Sequence, residues 1–337
     1  MGMLYAAVDI HKRVFQAAVL EPATGEIEEA RFPATREALH EWAMPLLGTV
    51  AAVAVEATCG WRWVSRELSA LGFEVRIAEP AQTRALKGRK RKAKTDRLDA
   101  RWLALLLAKE MLPASWIPPE DIQRLRDLTR LRQALGHDRT RWAQRLHAIL
   151  QHEGWPCSRG QLLSTKGRRW LDGLALDRHV RGLVDAHVAM IDVATLQMTE
   201  IERELRRLGR SDHRLVALQQ IYGVGPVVAC HLLAEIGAAR RFRRAEQIVR
   251  LSGLDPVVLE SAESKRRGKL SKQGSPHLRW ALVQAAQHAA RRPASSPDGD
   301  HYLAIRERIG SQRAALSTAR KIAKRAYHVL AALEDAA

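Results

Sequence analysis

The chain has 337 residues, 46% of them hydrophobic, and carries 55 Lys+Arg against 37 Asp+Glu, a formal charge of +18. That length suggests about two or three domains, and the charge excess points to a polyanion, either nucleic acid or an anionic membrane surface. No apolar run approaches the roughly 18 residues of a membrane span, the first dozen residues do not read as a signal peptide, and Ala6 breaks a myristoylation pattern. A cytoplasmic protein with a nucleic-acid partner and no membrane is therefore expected, associated with the nucleoid when bound to DNA. Three cysteines, Cys59, Cys157 and Cys230, stand far apart with no C-x-x-C, which argues against a disulfide framework or a zinc ribbon. The 13 histidines form no H-E-x-x-H and read as ordinary polar residues.

In chain order, Leu4–Ile10 and Val14–Leu20 are short apolar runs of strand formers around a His11-Lys12-Arg13 turn. A third strand is expected at Glu28–Phe32, then a helix from Thr35 to Leu47. The continuous apolar run Val50–Ala57 marks a central buried strand. A helix over Trp61–Leu71, a strand over Phe73–Ala78 ended by Glu79-Pro80, and a helix over Thr95–Glu110 with Thr95 as N-cap complete an α/β layer domain, residues 1–112. Pro113 to Pro119 reads as a linker. Ile122, Leu125, Leu128, Leu131, Leu135, Trp142, Leu146 and Ile149 then recur at spacings of three, four and seven, and a second such helix runs from about Val184 to Leu208. These two would pair as a hairpin or as a dimer seam, or serve as plain bundle helices, within a region spanning 113–210. The remainder, 211–337, is helical, with Gly223-Val224-Gly225-Pro226 between two apolar helices, a flexible loop between Gly253 and Gly274, and a helical tail over Ala314–Leu333.

Asp9 and Glu56 each end an apolar strand. Two acids on neighbouring strand ends would repel unless a cation lay between them. Asp96 and Asp99 stand at i, i+3 at the start of a helix and share a face. Two strand acids and two helix acids suit hard divalent metal, Mg²⁺ or Mn²⁺, in phosphoryl transfer. Taken alone, Asp96 and Asp99 also suit stabilisation of a helix N-terminus, and Glu56 a strand end reaching solvent. Arg84, Lys87, Arg89, Lys90, Arg91, Lys92 and Lys94 lead directly into Asp96 and read as a phosphate-contacting loop, or as a solvated face. The G-x-G of Gly223 and Gly225 fits a helix-hairpin-helix element whose backbone N–H groups approach a phosphate, or a tight inter-helix turn. Ser261, Ser264 and Ser271 lie among Lys265, Arg266, Arg267, Lys269 and Lys272 in a segment that reads as DNA-facing. A serine nucleophile there would find its charge neutralisation in those cations.

Across nearly its whole length the chain resembles the DEDD transposases of bacterial insertion sequences, the bridge-RNA-guided recombinases. The resemblance is carried by Val8-Asp9-Ile10-His11-Lys12, Glu56-Ala57-Thr58 and Lys94-Thr95-Asp96-Arg97-Leu98-Asp99-Ala100 in the first part. In the last part it is carried by Gly223-Val224-Gly225-Pro226, Ala234-Glu235-Ile236-Gly237, Arg241-Phe242, Gly253-Leu254-Asp255-Pro256 and Gly268-Lys269-Leu270-Ser271-Lys272-Gln273-Gly274. It implies an α/β plus α protein: a ribonuclease-H-like (RuvC-like) N-terminal domain, central coiled-coil helices for dimerisation, and a mainly helical C-terminal transposase domain. It also implies that Asp9, Glu56, Asp96 and Asp99 bind metal and that Ser261 is the nucleophile, although Ala262 stands where the family has glycine. The acids of one protomer and the serine of another would meet on one DNA strand, in a dimer or a synaptic tetramer. A noncoding RNA would pair with donor and target DNA. Three other readings compete: a metal-dependent junction resolvase without serine chemistry, a sugar-kinase-like ATPase using Asp9 near Lys12, and a non-enzymatic RNA-binding protein. The high positive charge and the lack of a second glycine-rich phosphate loop count against the ATPase, and a pure binding protein has no use for four acids.

Overall fold

The structure, a computed structural model, describes residues 3–86, 96–261, 264–291 and 296–336, with backbone alone at 96, 97, 159, 258–261 and 264–268. Within them the chain forms two compact units, Met1–Ile117 and Pro118–Ala337.

In the first unit, the two apolar runs around the His11-Lys12-Arg13 turn become β1 (Leu4–Ile10) and β2 (Val14–Leu20), paired antiparallel with Asp9 opposite Gln16. β3 (Ile27–Pro33) adds antiparallel to β2. Thr35 caps α1 (Arg36–Ala43), its hydroxyl accepting from the Ala38 N–H, and a 3₁₀ turn over Met44–Leu46 leads to β4 (Val50–Glu56). β4 lies parallel to β1, with Val8 beside Val55. After α2 (Trp61–Ala70), β5 (Val75–Ala78) pairs parallel to β4. Next come α3 (Pro80–Leu86), α4 (Asp96–Ala108) and the two-residue β6 (Ala114–Ser115), antiparallel to β5. The sheet order is β3-β2-β1-β4-β5-β6. The turn expected at Glu79-Pro80 both ends β5 and starts α3: the Glu79 carboxylate accepts from the Gln82 N–H at 2.6 Å, and Pro80 sits in the first turn, where its missing N–H costs nothing.

The two faces of this sheet differ in bulk. Alternation sends Ala6, Val8, Ile10, Phe15, Val53 and Val55 to one side, against Leu39, Val64 and Leu68 of α1 and α2. The other side is mostly alanine, Ala7, Ala18, Ala52, Ala54 and Ala78, with Leu20 larger and the half-buried Tyr5 and Ile27 packed against it. Onto it pack Ala100, Leu103, Ala104 and Leu107 of α4. Small residues let the helix approach closely.

The second unit opens with two long helices, α5 (Glu120–His152) and α8 (Arg178–Ser211). They run antiparallel against each other: Gly136 faces Met198, Arg132 pairs with Glu202 at 2.7 Å, and Trp142 meets His187 edge to face. The hairpin alternative is thus the one seen within the chain. α6 (Arg159–Leu162) and α7 (Thr165–Asp172) close its far end over Leu146, Leu150, Leu162 and Leu171. α9 (His213–Leu218) leads to α10 (Pro226–Ile236), buried without a break from Ala229 to Ile236, and then to α11 (Glu246–Leu251). α10 packs against α5, α8 and α12 (Pro276–Arg291). α13 (Pro297–Ile309) and α14 (Ser311–Asp335) finish the unit. Between α11 and α12 the chain corrects the sequence expectation. In place of a flexible loop stands a two-stranded hairpin, β7 (Pro256–Ser261) and β8 (Ser264–Leu270). Pro256, Val257, Val258 and Leu259 supply one leg, and the polar β8 needs only backbone pairing to form the other.

Arg130 holds the buried Glu235 at 2.9 Å, and Ser275 donates to the same carboxylate. One turn earlier on α10, His231 is fully buried beside Trp280 (ring centroids 4.8 Å apart), with neither ring nitrogen bonded among the described residues. Burial, aided by the charge of Arg132, pushes its pKa down to about 3. Below pH 6.5 the unfolded chain therefore takes up a proton that the folded chain refuses, and stability is lost as pH falls from about 6.5 toward 3. The loss from this group is about 2 kcal/mol by pH 5. Glu235 acts in the same direction at lower pH: burial opposes its charge, but Arg130 keeps its carboxyl below the usual range. His277 and His301, both lowered by burial, add to the slope in either protein. Denaturant unfolding of wild type and His231→Leu between pH 7 and pH 5 should show the variant losing about 2 kcal/mol less over that interval.

Candidate active site

Asp9 follows Ala7 on the alanine face of β1, and Glu56 follows Ala54 on the same face of β4. Because β1 and β4 are adjacent and parallel, both acids stand at the carboxyl ends of neighbouring strands, where open α/β sheets form their crevices. α4 crosses that face and brings Asp99 to the same place. Asp9, Glu56 and Asp99 line one cleft of about 430 Å³. Asp9 is 3% exposed and accepts a hydrogen bond from His11 Nε2 at 3.2 Å when that nitrogen carries the proton. Glu56 and Asp99 are half-buried. Asp96 is the first residue of α4, one turn before Asp99, and its side chain lies outside the described atoms.

His11 and Lys12, read from the sequence as a turn within the Asp9 motif, both line the cleft, with Thr58, Cys59, Thr83, Arg84 and Trp102. Thr83 and Arg84 come from α3. The Trp102 indole donates to the Thr83 carbonyl at 3.3 Å, tying α4 to α3. The Thr83 hydroxyl is buried with no partner among the described residues. Arg84 belongs to the basic run and Thr58 to the Glu56 motif; for Thr83 the signal is Pro80 after an acid, which starts α3. Of the basic run, Arg84 is exposed at the cleft, while Lys87, Arg89, Lys90, Arg91, Lys92 and Lys94 lie outside the described residues.

The donors facing the cleft are carboxylate oxygens, chemically suited to a hard divalent cation. Such an ion takes one or two carboxylates and completes its shell with water, for which the open cleft has room. Among the described residues no three acid, histidine or cysteine side chains close on a single metal-sized point.

In the second unit the two glycines of the G-x-G turn have different causes. Gly223 has φ +89°, and a Cβ there would lie 2.4 Å from the Ala285 carbonyl of α12, so packing alone requires glycine. Gly225 has open space where a Cβ would be and caps α10 with no side-chain hydrogen bond. In the β7–β8 hairpin, Ser261 pairs with Ser264 next to the turn, and Lys265, Arg266 and Arg267 follow on β8. Ser271 lies beyond β8, where its hydroxyl donates to Asp255 Oδ1 at 2.6 Å. Lys269 and Lys272 are exposed.

The sheet order, the acid-bearing ends of β1 and β4, and the covering helix with its own acid are consistent with a ribonuclease-H-like DEDD domain. Residues 6–153 match the model of a DEDD transposase domain, and residues 216–301 match the Transposase IS116/IS110/IS902 family. The two matches fall in successive parts of the chain, and with the relatives that follow they support an insertion-sequence transposase of the DEDD, IS110-like kind. It is 29% identical over 249 residues to the putative transposase y4rJ of Sinorhizobium fredii, a match spanning 66% of this chain and 62% of that protein. It is 25% identical to the transposase for insertion sequence element IS1328 of Yersinia enterocolitica, over 70% of each chain. With the transposase for insertion sequence element IS1111A of Coxiella burnetii it shares 23% identity over 93% of this chain and 86% of the relative. The match with the Sinorhizobium protein thus takes in less than two thirds of that relative's length.

The alanine floor makes a test of the site's construction. Ala54 is fully buried under α4, two residues before Glu56. Ala54→Leu should cost about 1–3 kcal/mol by overpacking and should push α4 away from the strand ends. Divalent-ion-dependent DNA cleavage should then fall more than the loss of folded protein explains. Val53→Leu, on the bulky opposite face, should cost comparable stability and leave cleavage per folded molecule unchanged. Thermal unfolding alongside cleavage assays checks both.

Proposed function

We propose that this chain is the DNA transposase of an insertion sequence, cleaving and rejoining strands through carboxylate-bound divalent metal and a serine nucleophile, with a noncoding guide RNA pairing to donor and target DNA. The observation that carries the proposal is the meeting of Asp9, Glu56 and Asp99 in one cleft at the strand ends. Asp96, one turn from Asp99, would be the fourth acid. Mg²⁺ or Mn²⁺ bound there would withdraw charge from a phosphodiester and lower its barrier to attack. Arg84 and Lys12, with Lys87, Arg89, Lys90, Arg91, Lys92 and Lys94, would hold the nucleic-acid backbone beside the acids. Gly225 leaves the N-terminus of α10 open to a phosphate, as a helix-hairpin-helix element requires, and the charge of +18 suits two polyanionic partners.

Ser261 would be delivered by the β7–β8 hairpin, with Lys265, Arg266, Arg267, Lys269 and Lys272 on the same hairpin and its base to neutralise phosphate charge. In the step proposed, the seryl oxygen bonds to phosphorus and the scissile P–O bond breaks. The hydroxyl proton leaves to a base, and the departing deoxyribose oxygen takes up a proton. The new ester conserves the energy of the broken phosphodiester, so the strand can be rejoined to another. In the composite arrangement, acids and serine come from different protomers of a dimer or tetramer. The exposed apolar residues Met190, Val193 and Leu196 of α8 support such association.

Denaturing electrophoresis of labelled DNA, with the RNA encoded beside the element supplied, tests both halves of the site. Asp9→Asn, Glu56→Gln, Asp96→Asn and Asp99→Asn should each cut strand exchange by at least about 100-fold. Each should keep DNA and RNA binding, and without metal each should be no less stable than wild type, because an acid is removed from a repelling group. Ser261→Ala should bind normally and yield neither covalent adduct nor exchange. Free phosphate ends with no adduct at any serine would instead establish a resolvase-like nuclease, and an adduct mapped to Ser264 would move the nucleophile across the hairpin.

A further inference from the structure

The β7–β8 hairpin is a lever whose far end carries Ser261, and its base is held by a set of backbone and side-chain bonds. Both legs leave the helical body within a few residues of each other, and three backbone bonds close them: Ser271 N–H to Asp255 O at 2.8 Å, Lys272 N–H to Gly253 O at 3.1 Å, and Ser275 N–H to Leu251 O at 2.7 Å. Three side-chain devices then hold this closure. Ser271 donates its hydroxyl to the Asp255 carboxylate at 2.6 Å, joining the legs directly below the first strand pair, Pro256 with Leu270. From α12, the Arg279 guanidinium donates to the Ser252 carbonyl at 2.9 Å and reaches the Lys272 carbonyl at 3.5 Å, one on each leg. From α14, Arg320 donates to the Leu254 carbonyl at 2.7 Å. The fit is tight. A Cβ on Gly253 (φ +64°) would lie 2.7 Å from Arg279 Nη1 and 2.8 Å from the Lys272 carbonyl carbon. A Cβ on Gly274 (φ +133°) would lie 2.3 Å from the Leu251 carbonyl oxygen.

We propose that Arg279, together with the Asp255–Ser271 pair, is the positioning device of the serine hairpin: it fixes the angle at which β7–β8 leaves the helical body and so aims Ser261 at the phosphate. Among the described residues this ribbon pairs with no other sheet, and an isolated two-stranded ribbon draws much of its direction from its base. A small rotation there is magnified over the length of the hairpin, and misplacing a reacting atom by about 1 Å costs on the order of 100-fold in rate. In this arrangement Ser271 serves as a structural tie between the two legs, through its hydroxyl to Asp255.

This inference rests on Ser261 as the nucleophile, and the experiment separates the two. Single-turnover formation of the protein–DNA adduct at saturating DNA is measured for the full chain with its RNA, beside DNA affinity, melting temperature and hydrogen exchange at the Ser271 and Lys272 amides. Arg279→Met, Asp255→Ala and Ser271→Ala should each slow adduct formation by about tenfold or more, with DNA affinity within about twofold of wild type. Asp255→Asn keeps an acceptor oxygen for Ser271 and should restore the rate to within about twofold of wild type. The double variant Asp255→Ala/Ser271→Ala should be no slower than the slower single variant, because both remove one bond. Adduct rates within twofold of wild type in all the variants would overturn the positioning role. If wild type forms no adduct at Ser261, the nucleophile assignment fails. The clamp is then judged by exchange alone: about tenfold faster exchange at the two amides in Arg279→Met upholds it, and unchanged exchange overturns it. Should Arg279→Met fail to fold, the Asp255 and Ser271 variants decide the matter.

Discussion

Everything about the N-terminal site depends on how closely α4 can approach the sheet. Strand alternation places Asp9 and Glu56 on one face, and that face is floored by Ala7, Ala18, Ala52, Ala54 and Ala78. A helix laid on methyl groups comes nearer than one laid on Val and Phe, the residues that fill the opposite face. Only a close helix carries Asp99 to the strand ends. The alanines contribute less burial energy than larger residues would, and the bulky core under α1 and α2 offsets that deficit. Stability and site geometry are thus divided between the two faces of a single sheet.

Much of this was legible in the chain. Leu4–Ile10 and Val14–Leu20 form strands with the bounds that their apolar runs suggest, and Val50–Glu56 differs from its expected span by one residue. Asp9 and Glu56 were recognisable because an acid at the end of an apolar strand has few structural reasons to be there. The difference in bulk between the faces was also written in the sequence, but it becomes visible only once registers are known. What escaped was local structure set by capping and tertiary support. α3 depends on Glu79 capping Pro80–Leu86, and through it Thr83 and Arg84 join the cleft. β8, rich in Lys and Arg, has no apolar alternation and forms because β7 pairs with it. Gly223 suggested either a phosphate contact or a tight inter-helix turn, and its φ of +89° with the Ala285 carbonyl 2.4 Å from where a Cβ would stand shows why that position takes glycine.

The helical unit manages its charges differently from the α/β unit. Its long helices meet through Arg132–Glu202, and Arg130 reaches Glu235 beneath them. These are half-exposed arginines anchored on buried or half-buried acids. Arginine suits the role because its planar head binds a carboxylate or several carbonyls at once, as Arg126 does at Ala234 and Glu235 and Arg279 does at Ser252 and Lys272. A strongly basic chain therefore spends part of its cationic surplus on its own backbone, and only the remainder faces partners.

Among the described residues the cleft at the strand ends holds about 430 Å³ and is open rather than enclosed. A small metabolite could be swallowed by a pocket, but a phosphodiester within a polymer has chain running away from it in two directions. A site for such a bond has to be a trough, with its reactive groups on the floor and nothing roofing it. The thin alanine layer lets α4 bring Asp99 to the strand ends beside Asp9 and Glu56. A phosphodiester bound in such a trough would stay close to solvent, and the outcome of its cleavage would turn on which oxygen nucleophile, water or a side chain, stood first in line.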